Sequence, residues 1–227
     1  MRVQPSRFVP AAFLLFAAAA CSKATNQGSG AAAQPAPYAA NQAASAKPKG
    51  YPYTPADVEF MSGMIAHHAQ ALVMAGWAQS HGAGPSVQTL AARIINGQQD
   101  EIATMQRWLK DRGQPVPDPT KPMQMSMHHT GDQGQDQGML MPGMLTEAQM
   151  KELDQARGAD FDRLFLTYMI QHHKGAVTMV NQLFGTEGAA REETTFKLAN
   201  DVSVDQTTEI ARMQRMLEGL QSSHGSP

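Results

Sequence analysis

Two stretches of the chain decide its fold: DVEFMSGMIAHHAQALVMAGW, residues 57–77, and DRLFLTYMIQHHKGAVTMVNQ, residues 162–182. They align without a gap at an offset of 105 and are identical at eight positions. These positions are Asp57/Asp162, Phe60/Phe165, Met64/Met169, Ile65/Ile170, His67/His172, His68/His173, Ala71/Ala176 and Met74/Met179. A second pair, QQDEIATMQRWL at 98–109 and QTTEIARMQRML at 206–217, aligns at an offset of 108. The sequence is therefore a duplication of a unit made of two segments.

Each segment has the apolar periodicity of a long amphipathic helix. Thr54 and Pro55 are typical of a helix start, and glycines follow each of the first two segments. We predict helices from Pro55 to about residue 82, from 86 to 113, from 159 to 184 and from 189 to 217. A capping box at Thr146 predicts a further short helix that ends near Gly158. No segment has the alternation of a strand, so we predict an all-α fold, a four-helix bundle made of two repeated helix pairs.

The N-terminal residues have the features of an export signal. Arg2 and Arg7 precede an apolar run that ends in three alanines and Cys21, which resembles a bacterial lipoprotein signal. We predict a signal peptide over 1–20, lipidation at Cys21, and a flexible Ala/Gln/Pro-rich tether over 21–53. The predicted domain is 54–221, with repeats 54–113 and 146–221 and a methionine-rich linker over 114–145. The expected location is the periplasm or cell envelope, with membrane contact only through the lipid anchor.

Composition excludes several classes of function. The chain has 18 Lys and Arg against 20 Asp and Glu, a net charge of −2, which does not favour a nucleic-acid partner. It has 16 Met but 1 Cys, which excludes an internal disulfide and any site built from several cysteines. The excess of soft thioether sulfur needs its own explanation.

The first helix carries one continuous stripe that should face the core: Phe60, Met64, His67, Ala71 and Met74. His68 lies about 100° around the helix from His67, so we do not expect both imidazoles of one helix to bind the same ion. The second repeat has the same arrangement. A pseudo-twofold arrangement of the two copies can instead bring equivalent histidines together.

The residue three positions before each stripe histidine points to soft metals. Di-iron bundles place Glu there, whereas this chain has Met64 before His67 and Met169 before His172. Methionine with histidine suits copper, particularly Cu(I), or its mimic Ag(I). Glu101 and Glu209 remain as either partners of the histidines or ordinary ion-pair residues of a helix.

The linker between the repeats is a second candidate site. It holds six Met and two His within residues 123–144: Met123, Met125, Met127, His128, His129, Met139, Met141 and Met144. The segment has no periodic apolar face that would explain its sulfur as core packing. Such a loop can bind Cu(I) through two to four soft ligands, or it can be a flexible cover over the helices.

The repeated pattern Asp-x-x-Phe-x-x-x-Met-Ile-x-His-His-x-x-Ala-x-x-Met, together with MPGMLTEAQM at 141–150 and GADFDRLF at 158–165, resembles the domain of unknown function 305 family over about residues 54–220. The resemblance implies a ferritin-like four-helix bundle that is often exported, with relatives that are periplasmic copper-binding proteins linked to copper resistance. Carried over by match, it implies a ligand set of Met64, His67, His68 and Met74 with Met169, His172, His173 and Met179.

We therefore expect a non-enzymatic copper-binding protein that sequesters Cu(I) or exchanges it with a donor or acceptor protein. One alternative is a metal-free structural or partner-binding bundle, in which the histidines make core hydrogen bonds. A ferritin-like redox enzyme is less favoured, because the sequence lacks Glu-x-x-His. His81 and His224, near the ends of segments, are expected to be solvated.

Overall fold

A computed structural model describes residues 52–120 and 140–224, and within these ranges the fold is entirely helical. The helices are α1 (Pro55–Ser80), α2 (Pro85–Asp111), α3 (Glu147–Gln155), α4 (Gly158–Gly185) and α5 (Glu193–His224). The predicted all-α class is confirmed. No helix in these ranges is both long enough and apolar enough to cross a lipid bilayer.

The helix starts follow the local sequence. Thr54 caps α1 in a capping box with Asp57, and Thr146 caps α3 in the same way with Gln149. The predicted bounds are wrong at two places: α3 ends at Gln155, and α5 spans Glu193–His224 rather than 189–217. The later start of α5 follows from the preceding loop, where Gly188 and Ala190 both have positive φ and cannot be part of a helix.

The helices form two hairpins, one per repeat, that pack against each other through α1 and α4. These two helices run antiparallel. The backbone N–H of Gly158, at the start of α4, donates to the carbonyl of His81, just after the end of α1. The side chain of Asp57 near the start of α1 accepts from the backbone of Ala190, just beyond the end of α4.

The repeated aspartates tie the two hairpins together. Asp57 accepts from the N–H of Ala190 at 2.7 Å, in the loop before α5. Its counterpart Asp162 accepts from the N–H of Gly84 at 3.0 Å, in the loop before α2. A Cβ at position 84 would lie 2.8 Å from Asp162 Oδ2, so any larger residue would force this carboxylate to shift. Burial raises the pKa of Asp162, and the bond from Gly84 opposes that shift. Each repeat therefore holds the start of the other repeat's second helix.

The interior has two apolar clusters. The first apolar cluster includes Phe60, Met64, Met105, Met179 and Leu198. The second includes Met74, Leu90, Phe165, Met169 and Met213.

A band of polar side chains separates the apolar clusters along every long helix. We call it the polar layer; its members are His67, His68, Gln98, Glu101, His172, His173, Gln206 and Glu209. All eight belong to residue pairs that are identical between the repeats.

Candidate metal centre

The four histidines of the polar layer are completely buried. His67, His68, His172 and His173 each have 0% of their surface exposed. A buried imidazole normally has a hydrogen-bond partner for each nitrogen that is able to form one. The hydrogen-bond partners of these rings therefore indicate whether the polar layer has a structural or a metal-binding role.

The closest pair of rings comes from different repeats. The ring centroids of His67 and His172 are 3.9 Å apart, with 39° between the ring planes. Neighbours along one helix are farther apart: 6.4 Å for His67 and His68, and 6.3 Å for His172 and His173. The expectation that equivalent histidines of the two copies meet is confirmed for His67 and His172.

His68 and His173 are held by carboxylates of the neighbouring helix. His68 Nε2 donates to Glu101 Oε2 at 2.7 Å, and His173 Nε2 donates to Glu209 Oε2 at 2.7 Å. Of the two roles left open for Glu101 and Glu209, the structure shows that of histidine partner. A carboxylate that accepts from one nitrogen of an imidazole fixes the tautomer and makes the other nitrogen more basic, as in many metal sites.

His67 has a backbone partner, supplied by the end of the linker. Its Nε2 donates to the carbonyl oxygen of Pro142 at 3.0 Å. The loop reaches this point because α4 has Gly175 beneath it, where a Cβ would lie only 1.9 Å from the Pro142 oxygen. Gln70, which occupies the corresponding position of the first repeat, binds both the N–H and the carbonyl of Leu145. The duplication is therefore asymmetric where the linker packs on it.

The inner nitrogens have no partner. Nδ1 of His67, His68, His172 and His173 lacks any hydrogen-bond partner, and so does Nε2 of His172. The Nε2 of His67, His68 and His173 must carry hydrogen, since carbonyl and carboxylate oxygens only accept. Their Nδ1 atoms, in the neutral rings, therefore have free lone pairs. So many buried nitrogens without a hydrogen bond would lower the stability of a purely structural core. The same nitrogens are the atoms through which histidine binds metals.

The environment keeps the rings of His67, His172 and His173 neutral. Burial, with the nearby His68, lowers the pKa of His67 to about 3. Burial and the charges that His67 and His173 would carry lower the pKa of His172 well below its usual range, although the nearby backbone of His67 opposes the shift without making a hydrogen bond of good geometry. Burial also lowers the pKa of His173, although its bond to Glu209 opposes the shift. Neutral imidazole is the form that binds metal ions, so no proton has to leave first.

Met64 and Met169 lie about one helical turn before His67 and His172, and Met74 and Met179 lie about two turns after them. Met64, Met74 and Met169 are fully buried, and Met179 is 9% exposed. Met64 and Met179 belong to the first apolar cluster, whereas Met74 and Met169 belong to the second. Each cluster thus contributes one predicted methionine from each repeat.

Other predicted residues have different outcomes. Six of them lie outside the described residues: Cys21, Met123, Met125, Met127, His128 and His129.

Two predictions about packing are wrong. At the end of the linker, Met141 is 7% exposed and part of the first apolar cluster, so the expectation that linker sulfur does not pack in the core is wrong there. The prediction that His81 is solvated is also wrong. It is 6% exposed and donates from Nε2 to the backbone oxygen of Asp154, because α3 packs over the end of α1.

Gln98 and Gln206 were missed as site residues. Their side chains are 3% and 2% exposed, and both carry amide atoms without a partner. Their identity between the repeats was the signal that could have singled them out, because surface positions of a helix rarely require one residue twice.

Within 52–120 and 140–224, no three His, Cys, Asp or Glu side chains already converge as a metal-binding group. A centre in the polar layer must therefore use other ligand types or a small rearrangement.

Comparisons with known proteins agree with this architecture. A crystal structure of a candidate secreted DUF305 protein from Streptomyces coelicolor is 28% identical, with a TM-score of 0.60, over 73% of this chain and 94% of that one. A DUF305 fragment from Deinococcus radiodurans is 30% identical, with a TM-score of 0.59, over 74% and 98%. CopM in its Cu(II)-bound form is 30% identical, with a TM-score of 0.55, over 72% and 96%.

CopM has also been solved in Cu(I)-bound, Ag-bound and apo forms. Among curated proteins, uncharacterized protein L153 of Acanthamoeba polyphaga mimivirus is 38% identical over 56 residues, which are 25% of this chain and 37% of that protein. The alignment thus spans little more than a third of that relative. The model of the family described as domain of unknown function (DUF305) matches residues 57–217, and the chain belongs to this family.

Proposed function

We propose that the chain is an exported copper-binding protein that sequesters Cu(I), or exchanges it with a donor or acceptor protein, in the cell envelope. The observation that carries the proposal is His172: its ring is fully buried, neither nitrogen has a partner, and it lies 3.9 Å from the ring of His67. A core histidine with a structural role would have at least one hydrogen bond. His81 provides the contrast, because it is also buried, at the end of α1, and both of its nitrogens have partners.

The donor set suits a soft, low-coordinate ion. Neutral imidazole and thioether ligands favour Cu(I) and its mimic Ag(I), and neither ligand has to lose a proton. We assign His67 and His172 as the central ligands, with His68 and His173 as further nitrogen donors. Sulfur would come from the flanking Met64, Met74, Met169 and Met179. A site of two histidines completed by thioethers also needs no third His, Cys, Asp or Glu, in keeping with the absence of such a group in 52–120 and 140–224.

The relatives support copper in particular. CopM, which is 28–30% identical in its copper-bound forms, has been solved with Cu(I), Cu(II) and silver. Export is supported by the candidate secreted relative and by the signal-like residues 1–20. Attachment to the membrane through lipidated Cys21 is part of the proposal. So is storage without chemical turnover, because Met64 and Met169 replace the glutamates that di-iron enzymes use.

Competition for Cu(I) tests the proposal. The full chain is titrated anaerobically against a colorimetric Cu(I) chelator and compared with a variant in which Met64, His67, Met169 and His172 are all changed to Leu. We expect submicromolar binding by the parent and a loss of at least about a hundredfold in the variant, since both central ligands are gone. His81→Gln is the matched control and should bind like the parent.

Two results would contradict the proposal in different ways. Binding weaker than micromolar by the parent excludes a copper-sequestering function. Unchanged binding in the quadruple variant moves the site away from the polar layer, and deletion of residues 121–139 then tests the linker as the alternative.

A further inference from the structure

A cavity of about 190 Å³ lies between α2 and α5, on the outer side of the polar layer. Its polar walls come from both repeats: Gln98 and Gln206, Glu101 and Glu209, with Asp205 and Arg93. None of the lining residues is a methionine, a cysteine or a histidine, so its chemistry differs from that of the histidine centre. A space of this volume admits water or a hydrated ion.

Two buried amides face this space without partners. Gln98 is 3% exposed and lacks a partner for both Oε1 and Nε2, and Gln206 is 2% exposed and lacks one for Oε1. Amide groups taken out of water normally recover their lost hydrogen bonds from the protein. The repeated presence of an unsatisfied glutamine at one cavity indicates that something polar in the cavity completes them.

The charge of the cavity is negative. Glu101, Glu209 and Asp205 supply three carboxylates, and Arg93 supplies one cation. Asp205 occupies the position that corresponds to Gly97 in the first repeat, and a Cβ at Gly97 would meet nothing within 4 Å. With all four groups ionised, the lining has a net charge of −2, which a divalent cation would neutralise.

The glutamates are able to serve both sites. Glu101 and Glu209 each accept from a histidine through Oε2, at 2.7 Å. A carboxylate has about four lone-pair positions on its two oxygens, so one hydrogen bond leaves capacity for a cation or its waters. Both side chains are largely buried, with 14% and 19% exposed, so their positions are well defined.

We propose that this cavity binds a hard divalent cation of the Mg²⁺ or Mn²⁺ class, through carboxylate and amide oxygens. Such ions retain several of their waters and need only one or two direct carboxylates, so no preformed group of three acidic side chains is required. The proposal goes beyond the copper centre and does not depend on it. Two cations bound on opposite sides of Glu101 and Glu209 would share these carboxylates.

Mn²⁺ alone serves as the probe, because the bound ion loses the solution electron paramagnetic resonance signal of hydrated Mn²⁺. Titration of the metal-free full chain should show one saturable Mn²⁺ site. Asp205→Asn should weaken binding by at least about tenfold, since it removes one of the three carboxylates. Asp205 is exposed, so this variant should fold. Asp111→Asn, an exposed change of the same charge at the far end of α2, should alter binding by less than about twofold.

Two further variants separate this cavity from the histidine centre. Gln98→Leu with Gln206→Leu should also weaken Mn²⁺ binding by about tenfold or more, with an unchanged circular dichroism spectrum. His67→Leu with His172→Leu should retain Mn²⁺ binding while losing Cu(I). The proposal is overturned by an absence of saturable Mn²⁺ binding up to millimolar concentration, by equal effects of Asp205→Asn and Asp111→Asn, or by loss of Mn²⁺ in the histidine variant.

Discussion

The imidazole rings of His67 and His172 lie next to each other across the two repeats, with centroids 3.9 Å apart, planes tilted by 39°, and no hydrogen bond for either nitrogen of His172. A buried ring without hydrogen bonds lowers the stability of the metal-free protein. Its burial removes hydration from both nitrogens, and no protein group replaces the lost bonds. The unpaired nitrogens of His172 therefore both lower the stability of the metal-free protein and give it the capacity to bind a metal.

Replacement of His172 by leucine should stabilise the metal-free protein. The change removes a buried unsatisfied polar group, which costs about 1–3 kcal/mol, and leaves an apolar side chain of similar size. For a chain of this size, we expect a rise in Tm of a few degrees. His81→Leu should lower Tm instead, because it removes the hydrogen bonds that the two nitrogens of this buried ring make with Ser80 and Asp154. Thermal unfolding of both variants, free of metal, measures the difference. A destabilised His172→Leu variant would mean that His172 makes structural bonds.

The metal-free protein should lose stability as the pH falls from 7.5 to 5. Because burial lowers the pKa of His67 to about 3, the folded state resists a proton that the unfolded chain takes up near pH 6.5. The unfolded state therefore binds more protons over this window, and stability falls with pH. His67 alone accounts for roughly 2 kcal/mol, at 1.36 kcal/mol per pH unit between 6.5 and 5.

Urea unfolding at the two pH values measures this loss. His172 and His173, whose pKa values are also lowered, add to it in the same direction. The His67→Leu variant should show a smaller loss than the parent protein. An equal loss in the two proteins would contradict the assignment to His67.

Gly175→Ala should displace the loop that contacts His67. A Cβ at this position would lie 1.9 Å from the Pro142 oxygen, a distance that no side-chain adjustment relieves because the obstacle is backbone. We expect a loss of about 1–3 kcal/mol, the usual cost of overpacking. Gly76→Ala in α1 is the matched control: its Cβ would meet nothing within 4 Å, so it should be neutral or stabilising by up to about 1 kcal/mol. Similar effects of the two changes would show that the loop does not pack on α4 in this way.

Glu209→Gln should weaken Cu(I) binding without loss of the fold. The amide oxygen can still accept from His173 Nε2, but it no longer makes the imidazole more basic, and changes of this kind cost about 10–100-fold in metal affinity. Glu218→Gln, an exposed change on the same helix, serves as the control and should bind like the parent. Chelator competition measures both. Equal affinity for the two variants would restrict Glu209 to a structural role.

The sequence predicted the all-α class, because duplicated stripes at helical spacing leave few alternatives. It also predicted which histidines would be buried, since His67 and His172 lie on the apolar stripes. It did not predict the unpaired nitrogens, because hydrogen bonds to residues such as Pro142 depend on how a distant loop packs. The burial of His81 was missed for the same reason: α3, which covers it, is distant in sequence.

The most direct test of the central claim is nitrogen NMR of the histidine rings during anaerobic titration with Ag(I). In the metal-free protein, His67 and His173 should be neutral, with hydrogen on Nε2. One equivalent of Ag(I) should shift the ring nitrogens of His67 and His172 the most and leave those of His81 unchanged. Saturation with Ag(I) that leaves the His67 and His172 nitrogens at their metal-free positions would contradict the account.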